Sequence, residues 1–216
     1  MSTFRKTIRH CAICGKEVKC LVINSTNAFG SPDLDLRPPP MQRSTMPFWI
    51  QKCPSCGYVA PDISVYEETE KEYLDTEEYI HCEGLPINGR ECERFYQYYL
   101  LGKKRQNRNE QLNGLLYAIW TCDDEGAKKL AAALRRKAIR VLESEPAGDV
   151  PVLERNLLLR ADLLRRSGQY QKLLDEYQGV SFENETHRKI MQFQILHAQA
   201  RDSCCYTVQQ ALDALP

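Results

Sequence analysis

Cys11-Ala12-Ile13-Cys14-Gly15 and Cys53-Pro54-Ser55-Cys56-Gly57 are the two stretches from which the rest of the chain is read. Each sets two thiols three positions apart and closes with glycine. One such turn offers two thiolates to a soft metal; two turns offer four, the full tetrahedral shell of a structural zinc site. A filled shell leaves no position for a reactive water, so the pattern points to an ion that holds a fold together. Glycine after the second cysteine relieves crowding where backbone N–H groups turn toward the sulfurs, and Pro54 fixes φ at the entry to the second turn. Cys11, Cys14, Cys53 and Cys56 are therefore the expected metal ligands. Iron is the competing ion, since four thiolates in a tetrahedron suit it as well.

The 38 residues between the pairs measure an inserted loop. Residues 18–23 and 48–52 are short runs rich in β-branched and aromatic side chains, one leaving the first turn and one entering the second, as strands of a zinc ribbon do. Residues 24–47 carry Pro32, Pro38, Pro39, Pro40 and Pro47, which forbid a helix and deny a sheet its N–H donors. An ordered but irregular excursion is expected there. His10 and Cys20 flank the first turn as possible substitute ligands, with an exposed His10 and a core-facing Cys20 as the plainer expectation.

From Asp62 onward the period becomes helical. Ser64-Val65-Tyr66-Glu67 has capping-box spacing and opens an acidic segment to about Tyr79. Cys92, Phe95, Tyr96 and Tyr99 then form one stripe that ends in Lys103, Lys104, Arg105 and Arg108. Leu112, Leu115, Leu116, Ile119 and Trp120 mark a further helix. Ala127, Leu130, Ala131, Leu134, Ala138, Val141 and Leu142 give the clearest amphipathic pattern, closed by Glu145, Pro146 and Gly148. Asp149 and Pro151 announce the next helix through Leu153, Leu157, Ala161 and Leu164, and residues 170–177 turn back. A last pair fits 185–201 and 206–215.

The turn Arg160-Ala161-Asp162-Leu163-Leu164-Arg165-Arg166-Ser167-Gly168-Gln169-Tyr170 resembles that between the helices of a tetratricopeptide repeat. Tyr206 follows Tyr170 by 36 positions, near the ~34-residue period of that repeat. Cys204 stands where glycine would be, and the preceding turn is out of register. Stacked pairs of this kind leave a face for partners; the alternative is a plain helical core.

Bulk composition places the chain among ordinary globular proteins: 216 residues, 43% hydrophobic and 27% charged, with zero formal net charge. No overall basic field exists to steer a polyanion, so nucleic-acid binding would need a local patch, with Lys129, Arg136 and Arg140 on one helix face the candidate. No run approaches the ~18 apolar residues of a membrane span, and residues 1–10 lack the apolar core of a secretory signal. The expected compartment is the cytoplasm, where ten cysteines mean metal ligation and buried free thiols rather than disulfides.

Other chemistry is sparse. Asp33 and Asp35, with Arg37 close by, are the one polar cluster in the proline-rich excursion; paired carboxylates suit acid–base work or a hard cation. The alternative is an Asp–Arg network that holds the loop against the ribbon. His81-Cys82 and Cys92 fit no familiar metal spacing and read as buried thiols. Cys204-Cys205 read as ordinary turn residues. No phosphate loop and no hydrolytic triad is present, so no catalytic or cofactor-binding residues are assigned.

Cys53-Pro54-Ser55-Cys56-Gly57-Tyr58-Val59-Ala60, preceded by Cys11-Ala12-Ile13-Cys14-Gly15-Lys16, resembles an uncharacterised bacterial family, domain of unknown function 2225. The resemblance implies a four-cysteine N-terminal module joined to tetratricopeptide-like helices, and an Asp-x-Asp between the knuckles that Asp33-Leu34-Asp35 matches. It implies no reaction. The expected fold is α+β and mainly α: a zinc-ribbon-like module over 1–61, then antiparallel helix pairs over 62–216. The expected function is non-enzymatic, a zinc-binding protein whose helices form a platform for a protein partner. The alternatives are a nucleic-acid-associated zinc ribbon, a thiol redox sensor, and an enzyme using Asp33 and Asp35.

Overall fold

A computed structural model describes residues 1–67, 69, 71–144 and 150–214. The fold is α+β and mainly helical. Four strands come first: β1 (Thr3–His10), β2 (Glu17–Ser25), β3 (Gln51–Lys52) and β4 (Val59–Ala60). Helices follow: α1 (Glu77–Ile80), α2 (Arg90–Lys104), α3 (Arg108–Asp124), α4 (Lys128–Glu143), α5 (Val150–Arg166), α6 (Tyr170–Tyr177), α7 (Glu185–Gln199) and α8 (Val208–Asp213). No helix among the described residues is long and apolar enough to cross a membrane.

Contacts group the chain into two compact units, one of Met1–Phe29 with Pro40–Gly126, the other of Gly30–Pro39 with Ala127–Pro216. This grouping differs from the expected division at 61/62. The physical reason lies in the first unit. Its hairpins have little apolar surface of their own and share a core with α1 to α3. The Ala12 N–H donates to the Ile63 carbonyl at 2.8 Å, and the Tyr79 hydroxyl donates to the Gly57 carbonyl at 2.7 Å. Trp49 packs edge-on against Tyr117 and Trp120, with ring centroids 4.9 and 6.3 Å away.

The expected stripe on α2 is present: Cys92, Phe95, Tyr96 and Tyr99 are all buried. α2 and α3 cross closely because Gly114 faces the α2 backbone. A Cβ there would lie 2.5 Å from the Tyr99 nitrogen and 2.9 Å from the Phe95 carbonyl oxygen. Those are main-chain atoms and cannot swing aside.

Two local expectations fail. Residues 64–67 start no helix. Asp62 takes the N–H and hydroxyl of Ser64 into a turn instead, and a 3-10 helix covers Lys71–Asp75. The helical cap falls at Thr76, whose hydroxyl accepts from the Tyr79 N–H. Phe48 likewise ends a 3-10 helix (Arg43–Phe48) rather than opening a strand. Glu68, Glu70, Glu145, Pro146, Gly148, Asp149 and Leu215 lie outside the described residues.

In the second unit α4 to α8 fold back on one another over a core that includes Leu134, Ala138, Leu159, Leu163, Leu164, Leu173, Tyr177 and Phe193. α5 ends on Gly168 (φ 77), with the Gln169 N–H reaching the Leu164 carbonyl. α7 ends the same way on Arg201 (φ 53), with the Asp202 N–H reaching the His197 carbonyl. This is the left-handed cap that usually takes glycine. A left-handed cap thus stands 33 positions on, at Arg201 and not at Cys204. Beneath it Arg165, fully buried, donates to Gln194 Oε1 at 2.6 Å, Asp162 Oδ1 at 2.8 Å and the Asp202 and Cys204 carbonyls at 2.9 and 2.8 Å. Asp202 in turn accepts from the Tyr206 hydroxyl at 2.5 Å and pairs with His197 Nδ1 at 2.7 Å.

Gly114→Ala is expected to destabilise the first unit by about 1–3 kcal/mol through this overpacking, read as a lower urea midpoint. At Asp202, burial opposes ionisation, but the Tyr206 hydroxyl and the Cys204 N–H outweigh it and hold the carboxyl well below the usual range. Stability from this group is therefore present above about pH 4 and lost as pH falls further. Tyr206→Phe should cost about 1 kcal/mol at pH 7, with the difference from wild type shrinking in melts taken below about pH 4.

Candidate metal centre

Both cysteine pairs sit in the tight turns of β-hairpins. β1 and β2 pair antiparallel from Thr3↔Ser25 to His10↔Glu17, so residues 11–16 form the turn. β3 and β4 pair through Gln51↔Ala60 and Lys52↔Val59, so residues 53–58 form the second. The two turns have the same internal bonding. The Gly15 N–H donates to the Cys11 carbonyl at 2.8 Å and the Cys11 N–H to the Lys16 carbonyl at 2.9 Å. The Gly57 N–H donates to the Cys53 carbonyl at 3.0 Å and the Cys53 N–H to the Tyr58 carbonyl at 2.8 Å. Gly15 and Gly57 both take left-handed φ, 70° and 75°. A Cβ on Gly15 would meet nothing within 4 Å, so backbone conformation alone calls for glycine there.

The four sulfurs converge. Cys11 Sγ lies 3.6 Å from Cys56 Sγ, and Cys14 Sγ lies 3.7 Å from Cys53 Sγ. All four fall within 4.8 Å of one another. A disulfide would need ~2.05 Å. A tetrahedron with ~2.3 Å metal–sulfur bonds has edges of ~3.8 Å, close to the measured pairs. Cys11 and Cys53 are buried, while Cys14 and Cys56 are half-buried. Among the described residues this is the one group of three or more histidine, cysteine or carboxylate side chains arranged to hold a metal ion.

The thiols also tune one another. For Cys14, burial opposes ionisation, but the Lys16 N–H and the neighbouring thiols bring it down to about 7. Cys56 is pushed well up, first by burial and then by its three neighbours, against a bond from the Tyr58 N–H. Lys16 and Tyr58 stand two places after Cys14 and Cys56, so the same N–H serves the same sulfur in each turn. One thiolate is easily accommodated; four mutually repelling ones require a cation.

The remaining candidates stay apart from this group. His10 is exposed, and Cys20 is half-buried on β2 with its thiol pushed up by burial. His81 pairs with Glu77 at 3.1 Å. Cys82 is buried and raised to about 12, chiefly by burial. Cys92 and Cys122 face each other at 3.5 Å across α2 and α3, and their contact and burial push the Cys92 thiol far up. Cys204 and Cys205 are exposed. None of these thiols is in a disulfide.

Asp33 and Asp35 are buried, and their segment pairs with the second unit's helical region rather than serving the sulfur cluster. Asp33 bridges Thr207, and the Leu34 N–H donates to the Tyr206 carbonyl at 2.9 Å. Asp35 accepts from Arg166 Nη1 at 2.6 Å and from the Arg37 N–H at 3.3 Å. An Asp–Arg network is present, but it ties the segment to α5 through Arg166 and not to the ribbon as expected, because the ion partner lies too far along the sequence to be read locally. Burial pushes the Asp35 carboxyl up to about 6, and Asp162 adds to this while Arg166 and Arg135 oppose it. Lys129, Arg136 and Arg140 are exposed along α4, as their spacing suggested.

No protein-family model, curated protein or solved structure matches the chain.

Two strands went unforeseen. The alternation of Phe4, Lys6 and Ile8 was the available signal for β1; β4, only two residues long, had none. Because Gly15 answers a conformational need alone, Gly15→Ala should cost about 1 kcal/mol and Gly15→Asn less than Gly15→Val. Urea midpoints of the three variants test this ranking.

Proposed function

We propose that Cys11, Cys14, Cys53 and Cys56 bind one structural zinc ion, and that the protein is a non-enzymatic cytoplasmic interaction module. The observation that carries the metal reading is four sulfurs from two equivalent turns at tetrahedral spacing. Zinc would supply the charge that lets all four ionise and would tie the two hairpins together. Each hairpin alone is too small to hold its shape. Four thiolates complete the shell, so the ion has a folding role and no bound water to activate.

The non-enzymatic part rests on the state of Asp33 and Asp35, the one carboxylate pair suggested for chemistry. Both are buried, and the oxygens of Asp35 are committed to Arg166 and a backbone N–H. A redox-sensor role is disfavoured by thiols such as Cys82, which burial keeps protonated, and Cys92, which its contact with Cys122 and burial keep protonated, so that both are poorly nucleophilic. The helices of the second unit are read as a tetratricopeptide-like platform for a protein partner, supported by the recurring left-handed caps at Gly168 and Arg201.

Metal analysis of purified protein should give one zinc per chain and a colourless solution. Visible thiolate charge-transfer absorption would assign iron instead, and absence of any metal would overturn the reading. Cys53→Ser should lose most of the metal and at least about 3 kcal/mol of stability, while Cys20→Ser retains both.

A further inference from the structure

The β1–β2 sheet has only two strands, so each presents an unused edge. Among the described residues no backbone hydrogen bond joins Thr3–His10 to anything but β2. The register sets Phe4, Lys6 and Ile8 on one face with Ile23, Leu21 and Lys19 across from them. On that face Ile8 is 55% exposed and Leu21 38%, while Phe4, also 38% exposed, rests its ring on Phe48 with centroids 4.7 Å apart. The other face carries the buried Val18. A shallow groove of 760 Å³ runs along the hairpin, lined by Lys6, Thr7, Ile8, Lys19, Cys20 and Leu21.

The charge here is one-sided although the chain as a whole is neutral. Residues 1–25 contain Arg5, Lys6, Arg9, Lys16 and Lys19 against the single carboxylate of Glu17. Arg9 is engaged by Asp62 at 2.9 Å. Among the described residues Arg5, Lys6, Lys16 and Lys19 enter no salt bridge. An unused strand edge, the apolar Phe4 and Ile8 and the uncompensated cations Arg5 and Lys6 therefore occur on one element.

We infer that β1 takes up an extended acidic peptide as a third strand. Its backbone would fill the N–H and C=O groups of the β1 edge. Its side chains would alternate, aliphatic beside Phe4 and Ile8 and carboxylate beside Lys6, with a further carboxylate beside Arg5 on the other face. A second copy of β1 is a poor occupant, because it would set Arg5, Lys6 and Arg9 against another basic strand. A single-stranded nucleic acid fits less well, since base stacking calls for aromatic platforms and Phe4, the aromatic side chain on this face, already packs its ring against Phe48.

The test is a titration of isotope-labelled full-length protein with a blocked peptide of valine, threonine and glutamate matching the 8 residues of β1. Amide shifts should concentrate on β1 and β2, and β1 amides should exchange more slowly. Arg5→Glu with Lys6→Glu should weaken binding about tenfold, with an unchanged melting curve because both side chains are exposed. A peptide with proline at alternate positions, which cannot donate to the edge, should not bind the wild-type protein. The inference is overturned by any of four results: no shifts at millimolar peptide, equal binding of the proline peptide, stronger perturbation by oligothymidylate, or concentration-dependent shifts of β1 without peptide.

Discussion

Bringing four sulfur atoms to within 4.8 Å of one another is the demand around which the first unit is arranged. Their backbone positions are far apart in the chain, so two separate hairpins must present matching turns to a common point. The matching extends to single hydrogen bonds: the same N–H closes each turn, the same position takes left-handed φ, and the same later N–H reaches the second sulfur. The bonds that shape each turn are all local. What remains for the rest of the unit is to bring the two turns face to face.

That task falls to aromatic side chains on the helices. Tyr58, the last residue of the second turn, and Ile63 beyond it are fully buried, and the Tyr79 hydroxyl of α1 donates to the carbonyl of Gly57 itself. Trp49, just before β3, packs against Tyr117 and Trp120 of α3. The module is therefore continuous with α2 and α3, and its rigidity depends on how closely those helices approach. Gly114 sets that distance. A position remote from the sulfurs in sequence thus helps to define their surroundings.

Much of this was legible in the sequence where the cause is local. The paired cysteines carry their geometry within five residues, and the stripes of α2 to α4 follow from helical period alone; on α5 the expected Leu153 is exposed, while Leu159 and Leu163 are buried beside Ala161 and Leu164. Legibility failed where the deciding partner is distant. Ser64 resembles a helix cap, but Asp62 captures its N–H first, and Thr76 supplies the cap instead. Strand β1 is hard to read because basic residues fill much of it and its local alternation is weak until it pairs with β2. The ion partner of Asp35 is Arg166, in the other half of the chain; the local reading supplied the residue types of the network but looked to Arg37 and the ribbon, since nothing near Asp35 in sequence points to α5. Arg201 in a left-handed cap escaped notice because the expectation looked for glycine.

The bridge between Asp33 and Thr207 has a consequence for how the chain is made. A ribosome adding about 5–20 residues per second needs on the order of ten to thirty seconds to travel from one partner to the other. Through that interval the segment 30–39 is in place without its companion strand. Pro38, Pro39 and Pro40 carry no backbone N–H with which to recruit a wrong one. The proline run, an obstacle to regular structure in the finished fold, also keeps this stretch quiet while it waits.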